Sequence, residues 1–522
     1  MDKKFLDAFV SKVQQKSLQV NQATWILETI GSNDAAALKA SLEIELRLLF
    51  NDEKIFKQLV AWSQDASLTD NLIKRQLNVL VRMFKPNLIP KILIEKIAQK
   101  EACLSLLYSN FRVSLDGVSL SENDVKEILK NESDPDVRKK IWDASKQTGK
   151  LLAPHIIELV HLRNDAAKSL GYKNYFAMQL DLQEVDEEWL FSILNRVSNE
   201  SESAYAQLIN EINEDAACRF NVPKDTIGPW AWSEPFCQED PMDAQALDEL
   251  VNGIDIIEAA KKFYATMEFD VNEVLKRSDN FERPGKSQHA FCLHIDREGD
   301  IRTLNNVKPT IKWLEVVLHE LGHAVYELGF DQKLPWLLKE PPHMITTEAM
   351  ALLMGRQAYR AKSLSILAPD SSELLKEKAE ISLRRRQLIF SRWVLVITHF
   401  ERELYGNPDQ NLNELWWKLV EKFQKIKSSG SSYQCDWAAK YHIGLAPIYY
   451  FSYLLGELLA SVFEEEMSML PQNKLSTFFN ERLFRPGNSL DWKTLVEEAT
   501  GKELSPDSWL TFSLAARKTC VT

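Results

Sequence analysis

The stretch VVLHELGHAVYELG, residues 316–329, constrains this chain more than any other. Leu314, Val317, Leu321, Ala324 and Leu328 recur at the spacing that lines up on one face of a helix. On a wheel of about 100° per residue, His319 and His323 lie together on the opposite side, with Glu320 about a quarter-turn away. A helix over 311–328 is therefore expected, burying one face and presenting two imidazoles from the other. Two histidines four apart can reach one Zn²⁺ at about 2.0–2.1 Å. The glutamate after the first histidine then stands beside the metal without ligating it, able to take a proton from metal-bound water.

A catalytic zinc needs a third protein ligand and one open position. A third histidine six residues after the motif is excluded, because position 329 is glycine. The next candidate is Glu348 in EPPHMITTEAMALLMGRQ, where Ile345, Ala349 and Leu352 surround it on a helical pattern. A carboxylate on an apolar face is costly unless a cation stands opposite. Glu327 and Glu340 are weaker rivals, read as solvated charges at helix ends.

The rest of the sequence narrows the setting. A hydrophobic content of 45% with 26% charged residues is that of a soluble globular protein. Only 17 glycines in 522 residues, with long Leu/Glu/Lys-rich stretches, argue for helices over an all-β fold. A net charge of −12 and a pI near 5.5 speak against nucleic acid as a partner. Cys103, Cys218, Cys237, Cys292, Cys435 and Cys520 show no disulfide-framework spacing, so reduced thiols are expected. MDKKFLDAFVSKVQQKSLQV has no continuous apolar core to act as a signal peptide, and no window reaches 18 uninterrupted apolar residues. A cytoplasmic protein without a membrane span is expected.

Along the chain, residues 1 to about 115 read as consecutive amphipathic helices, including 35–52 and 71–84. The pattern continues over 121–172, with Ser121 and Asp124 as a capping region and Gly171 as a stop. Breaks fall at 221–243 and 280–288. Only HAFCLHIDREGDIRTLNN (289–306) reads convincingly as β, two short apolar runs flanking a DREGD turn. From 311 onward the chain reads as helical, with a loop at 428–433.

At His319, Glu320, His323 and Glu348 the sequence resembles the thimet-oligopeptidase family and the related oligoendopeptidase and angiotensin-converting-enzyme-like families, metallopeptidases with an H-E-x-x-H motif and a distal glutamate. KSQHAFCLHI is similar to the segment in which such enzymes carry an edge strand, so the resemblance assigns His289 and Ala290 to substrate backbone. WAAKYHIGLAPIYYFSYLLGELLAS (437–461) resembles the family's His/Tyr segment, implying His442 and one of Tyr450 or Tyr453 as donors to the oxyanion. Lys440 matches a lysine that binds the substrate's C-terminal carboxylate in the dipeptide-releasing relatives. Its glutamine partner is not evident at Ala231 or Trp232, and the arginine beside the catalytic tyrosine is missing.

The resemblance is specific over about 281–460. It implies a mainly α fold, a large two-lobed helical ellipsoid with a deep active-site channel and a small β element near the zinc site. Residues 1–522 are expected to form a single catalytic domain, with about 1–115 as lid-like helices and about 281–460 as the zinc and substrate-binding core. The expected activity is hydrolysis of oligopeptides with one Zn²⁺ per chain, by a monomer or weak oligomer. Two other readings remain open: a peptidyl-dipeptidase or carboxypeptidase anchored by Lys440, and a non-catalytic zinc-binding helical scaffold.

Overall fold

The computed structural model of the chain describes residues 1–115, 117–241, 247–428 and 435–514. Beyond Ser428, the loop expected at 428–433 lies outside the described residues, as does Cys520. The chain is mainly α and divides into two compact units. One comprises Met1–Leu88, Gln245–Glu380 and Leu455–Ser508, the other Ile89–Ala244, Ile381–Leu454 and Trp509–Thr522. No described helix is long and apolar enough to cross a membrane. The described cysteines are all free thiols.

The first unit opens with four helices, Lys3–Ile30, Asn33–Leu49, Glu53–Ser63 and Asn71–Phe84. Each begins where Asp2, Ser32, Asp52 or Asp70 accepts a hydrogen bond from an otherwise orphaned first-turn amide. The helix 71–84 coincides with the periodic stretch read from the sequence. Leu6, Phe9, Val13, Phe50, Leu59, Leu77 and Phe84 bury together with Leu337 and Leu338. That cluster ties the N-terminal helices to the segment joining the two helices of the candidate site, Ile311–Leu328 and Met344–Gly355.

The expected hairpin is present. Phe291–His294 pairs antiparallel with Ile301–Leu304, Phe291 facing Leu304 and His294 facing Ile301. Its turn is held by Asp296, whose carboxylate accepts from the amides of Glu298 (2.8 Å) and Asp300 (3.0 Å). Gly299 supplies the left-handed backbone at φ +112°.

In the second unit, Ser121 and Asp124 form a reciprocal capping box on Glu122–Asn131. The helix Gln147–Ser169 ends as expected just before Gly171, which adopts φ +88°. A second hairpin, Val113–Leu115 with Val118–Leu120, corrects the reading of one β element. Its strands have three residues each, too few for alternation to register against helical neighbours. The break at 221–243 is packed in its middle: Trp230, Ala231 and Trp232 are buried, and Arg138 donates to the carbonyls of Trp230 (3.0 Å) and Trp232 (2.9 Å).

Candidate metal centre

The helix Ile311–Leu328 starts at Thr310, whose side chain accepts from the amide of Trp313. Its burial departs from the single stripe expected. Leu314, Val317, Leu321 and Ala324 are buried, but so are Leu318, Val325 and Tyr326, while Leu328 is 40% exposed. The helix is enclosed on several sides because the hairpin and the helix Met344–Gly355 both pack against it. Gly322 permits the second contact: a Cβ there would lie 2.7 Å from the Cα of Ala351. The side chains of the two helices meet as a result.

At that meeting point the Nε2 atoms of His319 and His323 each lie 3.7 Å from a different oxygen of Glu348. This is too long for a hydrogen bond. Two ligands bound tetrahedrally at ~2.1 Å stand about 3.4 Å apart, so the three groups flank a space of cation size. The imidazole rings are 5.0 Å apart and nearly perpendicular. His323 Nδ1 is 2.8 Å from the hydroxyl of Thr347, which orients the ring and leaves Nε2 toward Glu348.

Glu320 closes the cluster, with an oxygen within 4.8 Å of ligand atoms on both histidines. Mutual proximity alone would group Glu320 with the histidines. Glu348, however, straddles the pair with one oxygen toward each ring, whereas the Glu320 carboxylate accepts the backbone amide of Cys292 in the hairpin. The two carboxylates are thus held in different ways.

Burial holds His319 down to about 4, and burial with the neighbouring His319 holds His323 down to about 3. Both rings are neutral at physiological pH, the form that ligates metal. Burial first, then the facing carboxylate of Glu348, pushes Glu320 up to about 8. Burial, then Glu457, pushes Glu348 up to about 8. Among the described residues no lysine or arginine pairs with Glu320 or Glu348, and a divalent cation there would return both to the ionised form. The donor set fits zinc.

The two rival glutamates are engaged elsewhere and are not solvated helix ends. Glu327 is 3.0 Å from His294 Nδ1, and Glu340 is 2.6 Å from Arg297. His289 and Ala290 immediately precede the strand Phe291–His294, and His289 is exposed. The bond from Ile295 to Asp300 (2.8 Å) sets the register, so Phe291 and Leu293 face the partner strand. Cys292 and His294 turn their backbone groups to the other edge, where Glu320 receives the Cys292 amide and Asn21 donates to His294 O (3.2 Å).

Lys440, His442, Tyr450 and Tyr453 lie in the second unit. The Lys440 Nζ is 3.3 Å from Gln238 Oε1 and packs over Phe236, Trp393 and Tyr450 at 5.0, 5.3 and 5.6 Å. The glutamine beside Lys440 is thus Gln238, away from positions 231 and 232 where the resemblance would put it. Burial lowers the Lys440 ammonium to about 8. The His442 ring is 4.8 Å from that of Tyr450, and Tyr450 is 5.6 Å from Tyr453. Tyr450 is buried and Tyr453 half-buried.

A histidine pair one helical turn apart, with one glutamate beside it and another facing both rings, puts the chain in the class of metallopeptidases. More specifically, it belongs to peptidase family M3, whose model matches residues 128–512. A model of angiotensin-converting enzyme matches residues 1–214. Both families are zinc-dependent. The angiotensin-converting enzyme-like protein Ace3 of Mus musculus is 23% identical over 492 residues, covering 84% of this chain and 66% of that protein. The angiotensin-converting enzyme-related protein of Drosophila melanogaster is 23% identical over 251 residues, covering 43% of this chain and 40% of that protein. The chain thus spans less than two thirds of either relative's own length.

Proposed function

We propose that the chain is a zinc-dependent peptidase hydrolysing peptide bonds within oligopeptides, with one Zn²⁺ held by His319, His323 and Glu348. The observation that carries this reading is the approach of each histidine Nε2 to its own Glu348 oxygen at 3.7 Å. When bound, the metal supplies a Lewis acid and a water of lowered pKa. Glu320, steadied by the Cys292 amide, takes a proton from the attacking water and returns it to the leaving amine. His442 and Tyr450 or Tyr453 donate to the oxyanion as it develops. His289 and Ala290 hold an extended substrate along the strand edge. Residues 1–522 form one catalytic domain, with the N-terminal helices as a lid, in a cytoplasmic monomer or weak oligomer. Glu320→Gln should keep its zinc and lose peptide cleavage by about 10²–10⁴-fold. Unchanged cleavage would refute Glu320 as the base, whereas a wild type that binds zinc and cleaves no peptide would leave the zinc-binding scaffold as the reading.

One observation favours a second reading. Lys440 with Gln238 at 3.3 Å, among three aromatic rings, offers a cation and an amide to a peptide C-terminal carboxylate. The enzyme would then release dipeptides or single residues from the C-terminus. Comparing one peptide as free acid and as amide decides: cleavage abolished by amidation supports the anchor, and equal cleavage supports the endopeptidase.

A further inference from the structure

We propose that Glu401 is a positioning residue that clamps a left-handed turn at Ile448 and so sets how His442 stands against Tyr450. The inference rests on the reading of those side chains as oxyanion donors.

His442 lies on the short helix Tyr441–Leu445, and Tyr450 begins the helix Tyr450–Met469. Four residues, 446–449, join them. Within this link Ile448 has φ +59°. That conformation is disfavoured for L-residues and is an outlier for a β-branched side chain, persisting only where the surroundings over-determine it. The surroundings here are specific. The Ile448 amide donates to Glu401 Oε1 at 2.7 Å, from the helix Glu373–Gly406, and both residues are 2% exposed. Gln183 Nε2 lies 3.5 Å from the Ile448 carbonyl oxygen, so side chains meet both backbone polar groups of Ile448.

Glu401 has a cost of its own, since burial pushes its carboxyl up to about 8. Without the clamp, Ile448 would relax to negative φ and the first turn of Tyr450–Met469 would re-aim relative to His442. The 4.8 Å ring separation of His442 and Tyr450 depends on that turn. Misplacement by about 1 Å suffices to lower turnover about 10²-fold.

The experiment measures kcat, KM and zinc content on a peptide substrate for Glu401→Gln, Glu401→Leu, Ile448→Gly and the double variant E401L/I448G. The amide of E401Q retains an acceptor, so its kcat should stay within about threefold of wild type. E401L should lose about 10–100-fold in kcat with KM and zinc content little changed. Glycine adopts positive φ without penalty, so E401L/I448G should regain most of the lost kcat. If E401L does not accumulate as folded protein, recovery of folding in the double variant supports the clamp equally. An E401L kcat equal to wild type, or a double variant recovering neither kcat nor folding, overturns it. Tyr450→Phe, Tyr453→Phe and His442→Ala run alongside. If all three leave kcat unchanged, the oxyanion reading fails; if they lower it while E401L does not, the clamp alone fails.

Discussion

Gly322→Ala tests how the candidate centre is assembled. The added Cβ would stand 2.7 Å from the Cα of Ala351, 3.1 Å from the carbonyl oxygen of Met350 and 3.2 Å from the amide nitrogen of Ala351. All three neighbours are backbone atoms, so no side chain can swing aside. Restoring an ordinary contact of about 3.5–4.0 Å requires the two helices to part by roughly 1 Å. Overpacking of this kind costs about 1–3 kcal/mol. The displacement falls between the helix carrying His319 and His323 and the helix carrying Glu348, three residues from Ala351. It would widen the 3.7 Å separations that suit a shared cation. Zinc affinity should fall at least 10–100-fold, the range found when a ligand's support is removed. The assay is chelator competition for zinc, with thermal midpoints of the metal-free and metal-loaded protein. Gly171→Ala is the control: its φ of +88° resists a side chain, yet nothing lies within 4 Å of the new Cβ. It should lower stability without touching zinc affinity. If Gly322→Ala binds zinc like wild type, the tight helix crossing does not set the ligand geometry.

Other consequences can be measured separately. Thr347→Val removes the oxygen 2.8 Å from His323 Nδ1, and zinc affinity should drop about 10–100-fold with little change in helix content by circular dichroism. His343 caps Met344–Gly355 by accepting the Ile345 amide at 2.9 Å, and burial holds it down to about 4. Its unfolded value is near 6.5, so the unfolded chain binds the extra proton between those values and stability falls as pH drops from about 6.5 to about 4, by at most about 3 kcal/mol. Denaturant midpoints of metal-free wild type and His343→Asn at pH 7 and pH 5 should show the smaller loss in the variant; equal losses would contradict the assignment. Lys440→Met should leave cleavage of free-acid and amidated peptides alike unchanged in an endopeptidase, and a raised KM on free-acid peptides would favour the carboxylate anchor.

What could be read from the sequence was what local periodicity encodes. His319, Glu320 and His323 share one helix, and their relative placement follows from 3.6 residues per turn. Glu348 stood out because a carboxylate on an apolar helical face needs an explanation. The Ser121 cap, the Gly171 stop and the 289–306 hairpin likewise rest on neighbouring residues. Features set by distant segments stayed hidden. Lys440 meets Gln238 across 202 positions, and Glu401 meets Ile448 across 47. The wheel placed one apolar stripe on the motif helix, yet packing partners on several sides bury Leu318, Val325 and Tyr326 as well. Gly322 looked like an ordinary motif residue until Ala351 appeared opposite it.

The central claim is that Glu348 completes a zinc site whose water is activated by Glu320. It is tested most directly by zinc content per chain, measured by elemental mass spectrometry on wild type, Glu348→Gln and Glu320→Gln purified identically. The account predicts about one zinc in wild type and in Glu320→Gln, and a large loss in Glu348→Gln, because only Glu348 straddles both histidines. Full zinc in Glu348→Gln with loss in Glu320→Gln would contradict it.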